Sequence, residues 1–237
     1  MTTNTNNHPV VTRSEWLRAR KEFLNEEKEM THLRDRLSEK RRNLPWVRVE
    51  EDYRFEGPRG KAKLADLFEG RSQLLVYHFM FAPEWEEGCK SCSFWADNFE
   101  RSVVHLKQRD ITFVAISRAP SEKLAAFEKR MGWTFPWYST AGSSFNHDFS
   151  VSFTPEEVEK GTGTYNYGLM KPPISDMPGI SVFYKDPSGA IFHTYSTFGR
   201  GIEGMNATYQ YLDLVPKGRD ENGKRAFWLR HWDRYEP

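Results

Sequence analysis

Cys89 and Cys92 are the only cysteines in a chain of 237 residues, and two residues separate them. At the start of a helix this spacing sets the first sulfur beside unsatisfied backbone N–H groups, whose partial positive charge favours thiolate over thiol. Cys89 is therefore the expected nucleophile. It attacks a substrate disulfide to give a mixed disulfide. Cys92, one turn later and more buried, then displaces the substrate and closes the internal bond, so two electrons move with no cofactor beyond the redox-active disulfide. Lys90 favours the thiolate, whereas Glu84, Glu86 and Glu87 oppose it, so the sequence leaves the direction of the Cys89 shift open.

Two other readings use some of the same residues. Thiolate and imidazole together suit copper or zinc, and Cys89 and Cys92 could be joined by His78 and His193 as ligands; His105 and His147 read as surface or loop residues. A binding module without catalysis would instead use the Tyr- and Pro-rich stretch 165–178 to hold a partner.

The elements around the cysteines read as follows. Gln73 to Phe81 is nearly continuously apolar, the pattern of a strand buried on both faces. A loop with Pro83 and Gly88 leads to the cysteines, and Cys92, Trp95, Phe99, Val103 and Leu106 trace one apolar helical face. A second buried strand, Ile111 to Ser117, completes a βαβ unit and implies a parallel pair. A helix over 121–131 follows. Residues 134–139 read as a short strand, and 160–178 as a long loop that could form a flap over the site. Ile180 to Tyr184 and Ala190 to Thr197 flank Lys185-Asp-Pro-Ser-Gly189 as a hairpin, and Ile202 to Leu214 as a closing helix. The tail is irregular, with part of it docked through Phe227, Trp228 and Trp232.

Upstream, residues 12–43 read as a charged helix capped by Thr12 and Glu15, with Trp16, Phe23, Met30, Leu37 and Leu44 at seven-residue spacing. That stripe suits a homodimerising coiled coil, but Glu26 and Lys40 interrupt the heptad, and packing on the chain's own body is preferred. Trp46 to Phe55 reads as one strand.

A net charge of +1 gives no electrostatic footprint for nucleic acid, and 38% hydrophobic with 28% charged residues is ordinary for a globular protein. No run approaches the roughly 18–20 apolar residues of a membrane span. The Thr- and Asn-rich start lacks the features of a secretory signal, so the expected compartment is the cytoplasm. There a cysteine pair serves redox or metal chemistry rather than as a structural staple.

The order of strand, Trp85, Cys89-Lys-Ser-Cys92, helix and strand resembles the thioredoxin core. That resemblance implies a proline in cis before the strand facing the cysteines, a place held by Pro178 of Met177-Pro178. It also makes Trp85 and Lys90 supporting residues, and it brings Arg200, after the last hairpin strand, toward the cysteine end as a substrate contact. Leu44-Pro-Trp-Val-Arg-Val49, Val76-Tyr-His-Phe-Met-Phe81, Gly88-Cys-Lys-Ser-Cys-Ser-Phe-Trp-Ala-Asp97, Met131-Gly-Trp-Thr-Phe-Pro-Trp137 and Phe192-His-Thr-Tyr-Ser196 resemble a thioredoxin-like family, domain of unknown function 899, up to about Asp220. The entry Leu64 to Tyr77 is similar to peroxiredoxins. Their Pro-x-x-x-Thr-x-x-Cys motif is absent, however, with Ala82 and Glu86 at its proline and threonine positions, which argues against peroxidase chemistry. Glu86, Glu87 and Gly88 also lengthen the loop relative to thioredoxin.

The expected architecture is α/β: a thioredoxin-like three-layer fold with a mixed central sheet, an N-terminal helical extension and an inserted loop. Its divisions are a flexible start 1–11, the extension 12–44, the main domain 45–215 with its insertion at about 153–178, and the tail 216–237. The expected partner is a disulfide- or thiol-containing molecule or protein, with neither nucleic acid nor membrane involved.

Overall fold

The computed structural model describes residues 8–236, so most of the expected flexible start lies outside the described residues. The chain divides into two compact units, Met1–Pro45 and Trp46–Pro237. In the first, α1 (Arg13–Arg42) begins with a capping box between Thr12 and Glu15 and ends in a basic turn, Lys40 to Arg42, that complements the helix dipole.

The second unit is built on an eight-stranded sheet. In chain order its elements are β1 (Val47–Arg48), β2 (Arg54–Gly57), β3 (Gly60–Lys63), a 3-10 turn Leu64–Phe68, β4 (Gln73–His78), α2 (Lys90–Phe99), α3 (Val103–Lys107) and β5 (Ile111–Ser117). Then come α4 (Ser121–Met131), β6 (Trp137–Ser139), α5 (Phe145–Asp148), α6 (Pro155–Lys160), β7 (Gly163–Tyr165), β8 (Gly168–Met170), β9 (Gly179–Lys185), β10 (Ile191–Phe198), a 3-10 segment Gly199–Met205, and α7 (Ala207–Leu212). The strand order is β1-β10-β9-β4-β5-β6-β2-β3. β4, β5 and β6 run parallel; β9 is antiparallel to β4, and β10 to β9. The run β10-β9-β4-β5, entered through a βαβ unit and left through a hairpin, is the thioredoxin order.

β4 explains how the two faces divide. Leu75 and Tyr77 point to the face covered by α2 and α4, with Phe113, Phe79, Phe99 and Phe127. Leu74 and Val76 point to the other, with Phe68, Phe145 and Phe183. The continuous apolar run therefore has both faces buried, as expected for a central strand.

Several local expectations change. Trp46 to Phe55 is not one strand: β1 pairs with β10 at one edge of the sheet and β2 with β6 and β3 at the other, because the chain crosses between them. The helix after the cysteines breaks after Phe99, where the Ser102 N–H turns back to the Phe99 carbonyl at 2.8 Å, and α3 follows. The closing helix is likewise divided, since Asn206 stops the 3-10 segment and its side chain caps α7 by accepting the Tyr209 N–H. The insertion is structured. Thr154 and Glu157 cap α6, and β7 and β8 form a hairpin whose turn residues Asn166 and Tyr167 both have positive φ, as the primed two-residue turns require. A small core of Val151, Phe153, Tyr165 and Phe198 holds that hairpin. Among the described residues no helix is long and apolar enough to cross a membrane.

Candidate active site at the start of α2

Both cysteines are reduced; Cys89 is partly exposed and Cys92 buried. Cys89 is the N-cap of α2, and its carbonyl accepts the Ser93 N–H at 2.9 Å and the Ser93 hydroxyl at 3.0 Å. The turn leaving β4 holds the pair from below. The Met80 carbonyl accepts the Cys89 N–H at 3.1 Å, while the Met80 N–H donates to the Cys92 sulfur at 3.5 Å.

These contacts separate the two thiols electrostatically. The Cys92 thiol donates to the Cys89 sulfur and is the largest influence pulling Cys89 below the ordinary thiol range; burial opposes it, and the N–H groups of Cys92 and Ser91 and the Ser91 hydroxyl add to it. Cys92 moves the other way, raised first by burial and then by giving its hydrogen to Cys89. The direction that sequence left open is thus downward for Cys89. Lys90, the first residue of α2, is exposed, and the groups that lower Cys89 are the Cys92 thiol and the donors of the helix start.

The preceding loop is tied from two sides. Lys123 of α4 donates to the carbonyls of Pro83 at 2.9 Å and Trp85 at 3.0 Å, and Trp85 packs on the core. Glu87 pairs with Arg130 and Arg234 and so is neutralised. His231 of the tail donates Nε2–H to the Gly88 carbonyl at 2.8 Å. In the tail Leu229 and His231 are buried, whereas Phe227 and Trp232 stay exposed and Trp228 packs partly on the core.

A cleft of about 250 Å³ opens beside Cys92. The floor carries Tyr77 and Met80, the insertion contributes Tyr165 and Met177, and the tail contributes Arg225. Pro178 also lines it, but every peptide bond among the described residues is trans. The expectation of a cis Pro178 is therefore corrected: the Met177 N–H bonded to the Val151 carbonyl at 2.8 Å and the Pro178 carbonyl bonded to the Tyr165 hydroxyl at 2.6 Å hold a trans backbone in place. Arg200 does not line the cleft; its side chain is 79% exposed and pairs with Glu203. Sequence reasoning missed Met80, Tyr209 and Arg225. Only the position of Met80, at the end of the central strand, carried a local signal.

The expected metal set is divided by the sheet. His78 follows Leu74 and Val76 onto the face opposite Cys92, where its ring lies against Phe145 and Phe149, and His193 packs against Phe149 and Phe183. One nitrogen of each imidazole is bonded to a hydroxyl: His78 Nε2 is 2.8 Å from Ser181 Oγ, which is 2.8 Å from Ser196 Oγ, which is 2.7 Å from His193 Nε2, while His78 Nδ1 is buried without a partner on the face away from Cys92. These histidines do not fit a copper or zinc site with the cysteines, and no group of three or more metal-ligating side chains occurs among the described residues.

Residues 5–235 match the family model described as "Bacterial protein of unknown function (DUF899)". The chain belongs to the DUF899 family. Among solved structures, this DUF899 chain is similar to a peroxiredoxin Q mutant from Xylella fastidiosa, at 13% identity over 70% of this chain and 95% of that one, with a TM-score of 0.45. It is also similar to peroxidoxin BcpB from Mycobacterium tuberculosis, at 16% identity over 71% of this chain and 97% of that one, again with a TM-score of 0.45. Likeness at this level carries no functional argument, and the thioredoxin arrangement rests on the strand order. No curated protein matches the sequence.

Proposed function

We propose that the chain is a thiol–disulfide oxidoreductase that exchanges two electrons through Cys89 and Cys92. In the forward half-reaction the Cys89 thiolate attacks RS–SR′, a sulfur–sulfur bond forms between Cys89 and RS, and R′S⁻ leaves. The Cys92 thiol gives up its proton to a departing thiolate and its sulfur attacks Cys89, releasing RS. Overall, one thiolate, one thiol and RS–SR′ become the Cys89–Cys92 disulfide, one free thiol and one free thiolate. The reverse reaction oxidises a dithiol, and turnover in the forward direction draws on an external thiol reductant. The substrate is a disulfide- or thiol-containing molecule or protein.

The observation that carries this reading is the opposite treatment of two adjacent sulfurs. One receives hydrogen bonds from a helix start and a neighbouring thiol, and the other is kept protonated by burial. Such a pair has an attacking sulfur and a resolving sulfur already assigned. The test is titration of the purified protein in graded glutathione redox buffers, with metal content measured as isolated. A reversible two-electron transition without metal, lost in Cys89→Ser, is expected. Stoichiometric copper or zinc that depends on Cys89 and blocks the thiol titration would replace this reading with a metal site.

A further inference from the structure

The aromatic side chains around the cleft carry polar atoms, and each of these is already bonded within the protein. Trp95 Nε1 donates to the Ile202 carbonyl at 3.1 Å, and the Tyr77 hydroxyl to the Cys92 carbonyl at 3.3 Å. The Tyr209 hydroxyl donates to Glu221 at 3.0 Å. The Tyr165 hydroxyl both donates to the Pro178 carbonyl and accepts the Gly199 N–H at 2.9 Å. Arg225, the one cation at the cleft among the described residues, reaches Glu203, a carboxylate it shares with Arg200 and Arg219. The Ser91 hydroxyl helps to lower the Cys89 thiol. Apart from the Arg225 guanidinium at its margin, the cleft offers a ligand ring faces and edges together with the thioethers of Met80 and Met177, a surface suited to burying apolar area and to sulfur–aromatic contact.

Its size limits the ligand further. About 250 Å³ falls below the roughly 300–1,000 Å³ of drug-sized sites, so it fits one ring or a short alkyl group rather than a folded peptide segment. Cys92 lines the cleft, and the Met80 backbone holds Cys89 and Cys92 together, so a group seated there stands next to the cysteine pair.

We infer that the cleft selects small disulfides, or the thiols they yield, in which one sulfur carries an uncharged apolar group, preferably aromatic. This rests on the exchange chemistry proposed above. The Cys89 sulfur bonds to the sulfur bearing the apolar group, the other half leaves as its thiolate, and Cys92 then closes the internal disulfide and releases the apolar thiolate.

The experiment follows oxidation of the reduced wild-type protein by benzyl methyl disulfide and by bis(2-hydroxyethyl) disulfide, each rate divided by that of free N-acetylcysteine with the same disulfide. Benzyl methyl sulfide, which cannot exchange, serves as an inert competitor. The expected result is a preference of roughly tenfold or more for the benzyl compound, the scale set by burying one ring, with competitive inhibition by the sulfide. Equal corrected rates without inhibition, while both disulfides still oxidise the pair, overturn the apolar assignment and leave the exchange reading standing. A cyclic peptide disulfide that outruns the benzyl compound overturns it in favour of a polypeptide substrate. If no disulfide oxidises the pair, the exchange reading fails and the substrate assignment falls with it.

Discussion

Met80 holds both sulfur-bearing residues through its backbone, accepting the Cys89 N–H with its carbonyl and giving its own N–H to the Cys92 sulfur. The turn leaving the central strand thereby fixes the separation of the two thiols without committing the Met80 side chain, which is free to form the cleft floor. With the backbone pinned in this way, removing one sulfur tests the electrostatics of the other.

Cys92→Ala removes the strongest influence lowering Cys89 while leaving the N–H groups of the helix start. The midpoint of Cys89 alkylation against pH should rise toward the ordinary thiol value of about 8.5, and alkylation at pH 6 should slow by roughly tenfold, the factor that one pKa unit makes. Iodoacetamide rates from pH 4 to 9 measure this. An unchanged profile would mean that the helix start alone sets the thiolate.

Gly88 precedes the nucleophile where a side chain has no room: a Cβ there would lie 2.8 Å from ring carbons of both Phe79 and Phe127. Gly88→Ala should cost about 1–3 kcal/mol, the usual range for overpacking a filled core, and shift Cys89 from its place over α2. Urea unfolding measures the first effect and Cys89 alkylation rate the second. Wild-type values for both would show that the two rings can move aside.

Much of this arrangement could be read from the residues. The apolar run of β4, the cysteine spacing and the hairpin around Asp186 are local patterns, and the turn is fixed by Asp186 Oδ1 accepting the N–H groups of Ser188 and Ala190. The parity of β4 already put His78 with Leu74 and Val76, on the face away from Tyr77, although the pairing of thiolate and imidazole chemistry had suggested a shared site. The walls of the cleft were not legible. Tyr165, Tyr209 and Arg225 come from an insertion, a short helix and a tail, and their meeting depends on long-range packing that no local periodicity records. The stretch around Arg200 does return to the cleft, where Gly199 and Ile202 line it, but the pairing of the Arg200 side chain with Glu203 was not legible.

His78 gives a pH dependence independent of the cysteines. Burial pushes its pKa down to about 3, and the nearby His193 adds to the shift. The folded protein thus requires a neutral imidazole that the unfolded chain would protonate below about 6.5. Its contribution to stability is fully present above that value and is lost progressively as the pH falls from about 6.5 toward about 3. In His78→Gln the urea midpoint should fall less steeply from pH 7 to pH 4 than in the wild type. Parallel slopes would assign the acid sensitivity to other groups.

Arg118 links the end of β5 to the segment that forms one cleft wall. Its Nε and Nη2 reach the two oxygens of Asp176 at 2.7 and 3.0 Å, and Asp176, whose side chain is 4% exposed, also accepts the Ser152 hydroxyl at 2.5 Å. Asp176 immediately precedes Met177 and Pro178. Arg118→Met would leave the buried carboxylate with only the serine donor, at a cost toward the lower end of the roughly 3–5 kcal/mol seen when one partner of a buried pair is removed, because Arg118 itself keeps some exposure to water. The loss should be felt beyond stability, since the wall bearing Met177 would no longer be anchored. Urea unfolding and the corrected rate with benzyl methyl disulfide should therefore both drop, whereas iodoacetamide alkylation of Cys89 should stay near wild type because Met80 and the start of α2 are untouched. A stability loss with the benzyl rate unchanged would show that the wall is held by the hairpin core of Phe153, Tyr165 and Phe198 instead.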